Sequence, residues 1–165
     1  MSNLIKVTGD LLVCAEKGQF DFIVHGCNCF NTMGSGIAKS IREHYPEVYS
    51  ADFRTKRGDY NKLGNWTSEN VVRNNGAVDF IVINAYTQYD FNAGTNDDKF
   101  EYASFELILQ KLHFMYGDKR FGFPYIGMGL AGGNVERIMA LLEQFADKCK
   151  LKGGTVTLVD FNQNR

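Results

Sequence analysis

Hydrophobic and polar positions follow two rhythms along this chain. Short unbroken apolar runs mark buried strands, and apolar residues recurring every three or four positions mark amphipathic helices. Ile5 to Leu12 reads as a first strand ending in Gly9-Asp10-Leu11-Leu12, and Phe22 to His25 as a second. Gly34 to Tyr45 reads as a helix, with Ile37, Ala38, Ile41 and Tyr45 at helical spacing. Pro46 stops it, because proline disfavours helix in the residue before it. Val48 to Arg57 is a further short helix, and Gly58 to Gly64 is loop. Trp66 to Val72 and Val78 to Ala85 are strands. Asn74-Asn75-Gly76 between them is a hairpin signal, since Asn-Gly accepts the positive φ of primed turns. Phe80-Ile81-Val82-Ile83 is apolar throughout, as a central strand covered on both faces should be.

Tyr86 to Lys99 is a polar loop, long enough to carry function. Phe100 to Tyr116 is a helix whose stripe is Phe105, Ile108, Leu109, Leu112 and Tyr116, ended by Gly117. Phe121 to Ile126 is a strand in which Pro124 limits pairing. Asn134 caps a helix running to Lys150, with Ile138, Leu141, Leu142, Phe145 and Cys149 facing inward. Thr155 to Val159 is the last strand. Strands alternating with helices predict a three-layer α/β/α sandwich around a central sheet, largely parallel and made mixed by the hairpin. Residues 1–165 are expected to form one domain.

Composition narrows the function. A net charge of −1 leaves no basic field to hold nucleic acid non-specifically, so a ligand must be captured by local geometry. No apolar run approaches membrane-spanning length, and the first residues lack the pattern of a signal peptide. A cytoplasmic protein without a membrane partner is the expectation. A monomer with reduced thiols is expected with it. His25, Cys27 and Cys29 are spaced poorly for a zinc site, because alternate residues of an extended segment splay apart. No metal and no cofactor are expected.

Two corners carry the candidate chemistry. His25-Gly26-Cys27-Asn28-Cys29-Phe30-Asn31-Thr32-Met33-Gly34-Ser35-Gly36-Ile37-Ala38 joins a strand to a helix start. A helix start offers unpaired N–H groups and partial positive charge, and glycine lets an anion approach that backbone. Gly127-Met128-Gly129-Leu130-Ala131-Gly132-Gly133 is a second such corner. It matches the dinucleotide fingerprint in form, but too little chain follows it for a dinucleotide-binding half. In a parallel sheet both corners lie at the strands' carboxyl edge, where they would clamp an extended anion such as a diphosphate. Two unrelated tight turns are the competing explanation. Walker, G-x-S-x-G and H-E-x-x-H motifs are absent.

These residues together resemble the macrodomain family of ADP-ribose-binding modules, over nearly the whole chain. Gly9-Asp10-Leu11, His25 to Cys29, Met33 to Ala38, Asn84-Ala85-Tyr86-Thr87-Gln88 and Ile126 to Gly133 carry the resemblance. Within the family it looks most like the branch that includes ADP-ribose 1″-phosphate phosphatases. The resemblance implies that Asp10 accepts a hydrogen bond from the adenine amino group, beside Gly9 and Leu11. Phe161 would lie against the base. Met33, Gly34, Ser35, Gly36, Ile37 and Ala38 would wrap the diphosphate and distal ribose from one side. Ile126, Gly127, Met128, Gly129, Leu130, Ala131 and Gly132 would hold it from the other, and Asn84, Tyr86 and Thr87 would complete the site.

The implied ligand is ADP-ribose or ADP-ribose 1″-phosphate, and the implied reaction is release of the phosphate. His25 would be the general acid or water-orienting group, with Asn28 and Asn31 placing the ribose. A structural, hydrogen-bonded histidine is the competing reading of His25. The chain departs from the branch that frees ADP-ribose from protein carboxylates, because Ile37-Ala38-Lys39 follows the first corner without an acid. It departs from a lysine-dependent branch at Asn84-Ala85-Tyr86 and at Ala131. A non-catalytic reader of ADP-ribose, and a hydrolase acting on modified protein or nucleic acid, are the alternatives.

Overall fold

A computed structural model of the chain describes residues 2–72, 78–90, 99–126 and 133–161. Among the described residues six strands form one sheet: β1 (Leu4–Thr8), β2 (Phe22–Cys27), β3 (Trp66–Val72), β4 (Val78–Tyr86), β5 (Arg120–Phe123) and β6 (Thr155–Asp160). Their order is β1-β6-β5-β2-β4-β3. Neighbours run parallel except β3 and β4, which pair antiparallel from Trp66↔Ala85 to Val72↔Val78. The mixed, largely parallel sheet expected from the hydrophobic pattern is therefore present. The proposed hairpin turn Asn74-Asn75-Gly76 lies outside the described residues.

Five α-helices among the described residues flank the sheet: α1 (Leu11–Glu16), α2 (Gly36–His44), α3 (Pro46–Phe53), α4 (Tyr102–Tyr116) and α5 (Val135–Leu151). The two-residue period of a strand sends alternate side chains to opposite faces. On β2, Phe22 and Val24 pack with Phe105, Ile108 and Leu112 of α4 and Ile138 and Phe145 of α5. Ile23 and Cys27 pack with Leu11 and Ala15 of α1, Ile41 of α2 and Val48 of α3. None of these helices is long and apolar enough to cross a membrane.

Element boundaries differ from the sequence reading most tellingly at three places. β1 ends at Thr8, and Leu11–Glu16 is helix rather than strand. Asp10 caps it, its Oδ1 accepting from the Leu12 and Val13 backbone N–H groups at 2.9 and 3.2 Å, and Leu11, Leu12 and Ala15 bury one side of the turn. The third helix begins at Pro46 rather than Val48, because proline fits the first helical position where its missing N–H costs nothing. β5 stops at Phe123, before Pro124.

The sheet parts at one place. β2 and β5 pair only at Phe22↔Phe121 and Ile23↔Gly122. β2 stays with β4 to Cys27↔Tyr86, while β5 stays with β6 to Phe123↔Leu158. The chain leaving β2 goes to α2 on one face, and the chain leaving β5 goes to α5 on the other. Adjacent parallel strands whose exits diverge in this way leave a crevice at the carboxyl edge, where ligands bind in open α/β sheets.

Candidate functional site

A cleft of about 430 Å³ occupies that edge. Gly26, Cys27 and Asn28 line it from the end of β2, and Thr32, Met33, Gly34, Ser35 and Ala38 line it from the loop and first turn of α2. Asp52 of α3 and Gln88 beyond β4 complete the wall. Gly26 is forced by close approach: a Cβ there would lie 2.8 Å from Thr87 Oγ1 and 3.1 Å from Ile126 Cγ1. The strand exit thus lies against both neighbours with no room for a side chain.

The loop from Asn28 to Ser35 is held by its own polar groups. Asn28 Oδ1 accepts from Phe30 N–H at 2.8 Å, and its Nδ2 donates to Thr32 Oγ1 at 2.7 Å. Arg42 of α2 reaches back to donate to the Thr32 carbonyl at 3.1 Å. Asn31 and Met33 adopt φ of 60° and 41°, a region that is sterically costly for non-glycine residues and is kept where the surroundings impose it. For Asn31 the imposition is polar: Nδ2 donates to the carbonyls of Phe53 and Thr55 at 3.3 and 2.9 Å. For Met33 it is apolar, through a side chain only 3% exposed. Ser35 makes no side-chain cap, and Gly36 at φ 58° turns the chain into α2. The leading N–H groups of α2 are therefore presented without a serine capping bond at the wall of the cleft.

Beneath the cleft lies a buried polar network. Tyr86 hydroxyl donates to Asp52 Oδ1 at 2.7 Å and lies 2.9 Å from Thr67 Oγ1. Asn84 Nδ2 donates to Thr67 Oγ1 and to the Val48 carbonyl, at 3.2 and 3.1 Å. Lys62 Nζ donates to Asn31 Oδ1 and Thr55 Oγ1 at 2.7 and 2.8 Å, and its charge lies 5.4 Å from the Tyr86 ring centre. Burial pushes the Asp52 carboxyl and the Tyr86 phenol up and the Lys62 ammonium down.

His25 belongs to this network and not to the cleft wall. It is 1% exposed, and its Nε2 lies 2.6 Å from Asn84 Oδ1. Burial pulls its pKa down to about 4, so the ring is neutral near pH 7. The sequence reading gave His25 proton transfer; this placement instead matches the competing structural reading. Cys27 Sγ lies 3.7 and 3.9 Å from the two ring nitrogens. Near-equal distances put the sulfur to one side of the ring, out of line with either nitrogen lone pair. Burial also holds the Cys27 thiol neutral, so a thiolate nucleophile is not prepared here.

The other sequence-selected residues divide by position. Asn28, Met33, Gly34, Ser35 and Ala38 line the cleft. Gly36 begins the adjoining helix, and Ile37 packs against the core. Asn31, Asn84 and Tyr86 are buried behind the wall, where they brace it. Thr87 is 1% exposed, and among the described residues its Oγ1 has no hydrogen-bond partner. Gly9, Asp10 and Leu11 follow β1, and Phe161 follows β6. Thr8 pairs with Asp160, and Gly9 N–H donates to the Asp160 carbonyl at 2.9 Å, so these segments leave the sheet side by side. At roughly 4.8 Å per strand step the β1 exit stands about 14 Å and the β6 exit about 10 Å along the same edge from β2. Ile126 is buried against Gly26. Gly127, Met128, Gly129, Leu130, Ala131 and Gly132 lie outside the described residues.

The sequence reading did not single out Asp52 and Lys62. A signal for Asp52 was present: it falls four residues after Val48 and one after Ala51, on the buried stripe of α3. Lys62 offered none, since a lysine in a polar turn reads as solvated until the fold closes over it.

No family model matches this sequence. It is 33% identical over 152 residues to an uncharacterised 17.5 kDa protein from the tk-vs intergenic region of Enterobacteria phage T4, covering 88% of this chain and 91% of that protein. Among solved structures, it is similar to the macrodomain of Mycobacterium tuberculosis DarG, with a TM-score of 0.71 at 18% identity over 94% of this chain and 96% of that one. It is also similar to Thermosipho africanus DarTG in complex with ADP-ribose, with a TM-score of 0.73 at 16% identity over 100% of this chain and 43% of that one.

Proposed function

This chain belongs to the same family as the phage T4 protein and has the macrodomain fold, and from that premise we propose that its crevice binds ADP-ribose. The carrying observation is the cleft at the carboxyl end of β2, lined by the start of α2 and beside the point where β2 and β5 part. Backbone N–H groups from Gly34 to Ala38 take one side of the diphosphate, where the helix start favours negative charge. The motif Gly127 to Gly132, which follows β5 in sequence, takes the other. Asp10 and Phe161 receive adenine at the neighbouring strand ends, the first by a hydrogen bond and the second by its apolar face. Asn28 faces the distal ribose. The ADP-ribose bound by Thermosipho africanus DarTG supports this choice of ligand. Calorimetry tests it: ADP-ribose binds more tightly than NAD, and equal or absent binding of both refutes the assignment.

The finer reading is an enzyme that converts ADP-ribose 1″-phosphate to ADP-ribose and phosphate. Phosphoryl transfer asks for positioning and charge stabilisation more than for covalent chemistry. A helix start in a partly enclosed cleft supplies both without an arginine or lysine clamp. The competing reading is a module that only binds. Following free phosphate from ADP-ribose 1″-phosphate separates the two.

A further inference from the structure

The floor of the crevice holds a carboxylate with no task in that reading. Asp52 is 1% exposed and stands on the buried stripe of α3 with Val48 and Ala51. A carboxylate there is costly, and an apolar residue would pack more cheaply. Among the described residues the hydrogen bond found at this carboxyl is the one from Tyr86, on Oδ1. Since Asp52 lines the cleft, Oδ2 is the oxygen left for a ligand.

Burial and the groups facing Asp52 pull its carboxyl in opposite directions. Lys62, from the turn before β3, donates two of its three N–H groups to Asn31 and Thr55. Cys27 of β2 and Cys29 beyond it are kept neutral by burial. Desolvation outweighs the Tyr86 bond and the Lys62 charge, so the carboxyl is pushed up. An anionic phosphate entering the cleft pushes it further the same way.

We propose that Asp52 is the general acid of the site, contacting the oxygen that joins the distal ribose to its 1″ phosphate. This rests on the reading that the crevice takes ADP-ribose 1″-phosphate. As the phosphorus–oxygen bond breaks, its electron pair goes to the ribose oxygen, which takes the proton from Asp52. A water oxygen bonds to phosphorus and gives up one proton, which restores Asp52 through solvent. The products are ADP-ribose and inorganic phosphate. A loose phosphoryl transition state builds charge on the leaving oxygen, so a proton donor there outweighs a base on the water.

The test compares wild type with Asp52→Asn on ADP-ribose 1″-phosphate. Asparagine keeps the shape and the acceptor for Tyr86 but has no acidic proton to give. We expect kcat to fall on the order of 10²-fold with ADP-ribose affinity little changed. The wild-type kcat should decline as pH rises through the Asp52 value, a limb the variant lacks. A variant that releases phosphate at the wild-type rate overturns the acid role and leaves the phosphatase reading standing. Wild type that binds ADP-ribose but releases no phosphate overturns that reading and the acid role with it. The side-chain carboxyl carbon-13 resonance of Asp52, read on wild type, needs no variant to fold: movement on saturation with ADP-ribose supports the contact, and no movement overturns it.

Discussion

Both faces of the sheet bury an apolar layer, but only one adds a buried polar network to it. Against α4 and α5 the buried layer is largely aromatic and aliphatic: Phe121 stacks on Phe22 with ring centres 5.3 Å apart and meets Phe145 edge-on at 5.2 Å. Against α1, α2 and α3 the same sheet buries His25, Asn84 and Tyr86, with Asn31, Asp52 and Lys62 closing over them. Apolar burial is the dominant favourable term in folding. A buried hydrogen bond adds only a modest net stabilisation once desolvation is counted, and a buried charge often less than an apolar replacement would. The difference teaches that the aromatic face supplies stability, while the polar face spends some of it to hold a shaped wall under the crevice.

Removing Phe121, by Phe121→Ala, should give the largest effect, a loss of about 3–5 kcal/mol in urea unfolding. The folded fraction should still bind ADP-ribose with unchanged affinity. A change in affinity with little change in stability would reverse the division of labour.

The polar face should dominate the acid response. His25 carries a folded pKa of about 4 against an ordinary 6.5, so the unfolded chain binds the proton more readily. The stability tied to neutral His25 is complete above 6.5 and is lost as pH falls towards 4, by about 3 kcal/mol. Asp52 works in the other sense, because its raised carboxyl favours the folded state at low pH and loses that contribution as pH rises. Unfolding free energies measured between pH 7 and 4 should show the His25 slope. A flat profile there would mean that the imidazole is not sealed.

Lys62→Met removes the buried donor to Asn31 and Thr55 and should cost about 1–3 kcal/mol. It also removes a cation beside Asp52, so the Asp52 carboxyl should titrate at still higher pH by carbon-13 NMR. A shift downward would contradict the network.

The smallest effect belongs at the far end of the edge. Asp10→Ala should cost about 1 kcal/mol through the lost α1 cap. Asp10→Asn keeps the cap, because asparagine caps as well as aspartate, and should weaken only ADP-ribose binding in calorimetry. Equal affinity for wild type and Asp10→Asn would confine Asp10 to capping.

Much of the fold was legible because local pattern and tertiary role agree. The run Phe80 to Ile83 is the middle of β4, the stripe Phe105 to Leu112 faces the sheet, and Asn134 caps α5 through the Arg137 N–H at 3.0 Å. The misread stretch, Gly9 to Leu12, follows directly on the strand end at Thr8 and holds the helix cap Asp10, and periodicity has no room to resolve the two. The cleft loop was legible too, since Asn28, Met33 to Ser35 and Ala38 stand together in the chain and in space.

Residue order alone determined which segments alternate as strand and helix, and that a glycine-bearing turn precedes α2. Those properties depend on neighbours a few positions apart. Only the tertiary structure decided that His25 is enclosed, that Lys62 is buried, and that Asp52 reaches the floor of a cleft begun by residues more than twenty positions before it. Burial and charge environment are set by what packs from elsewhere in the chain, and no local window of sequence contains that information.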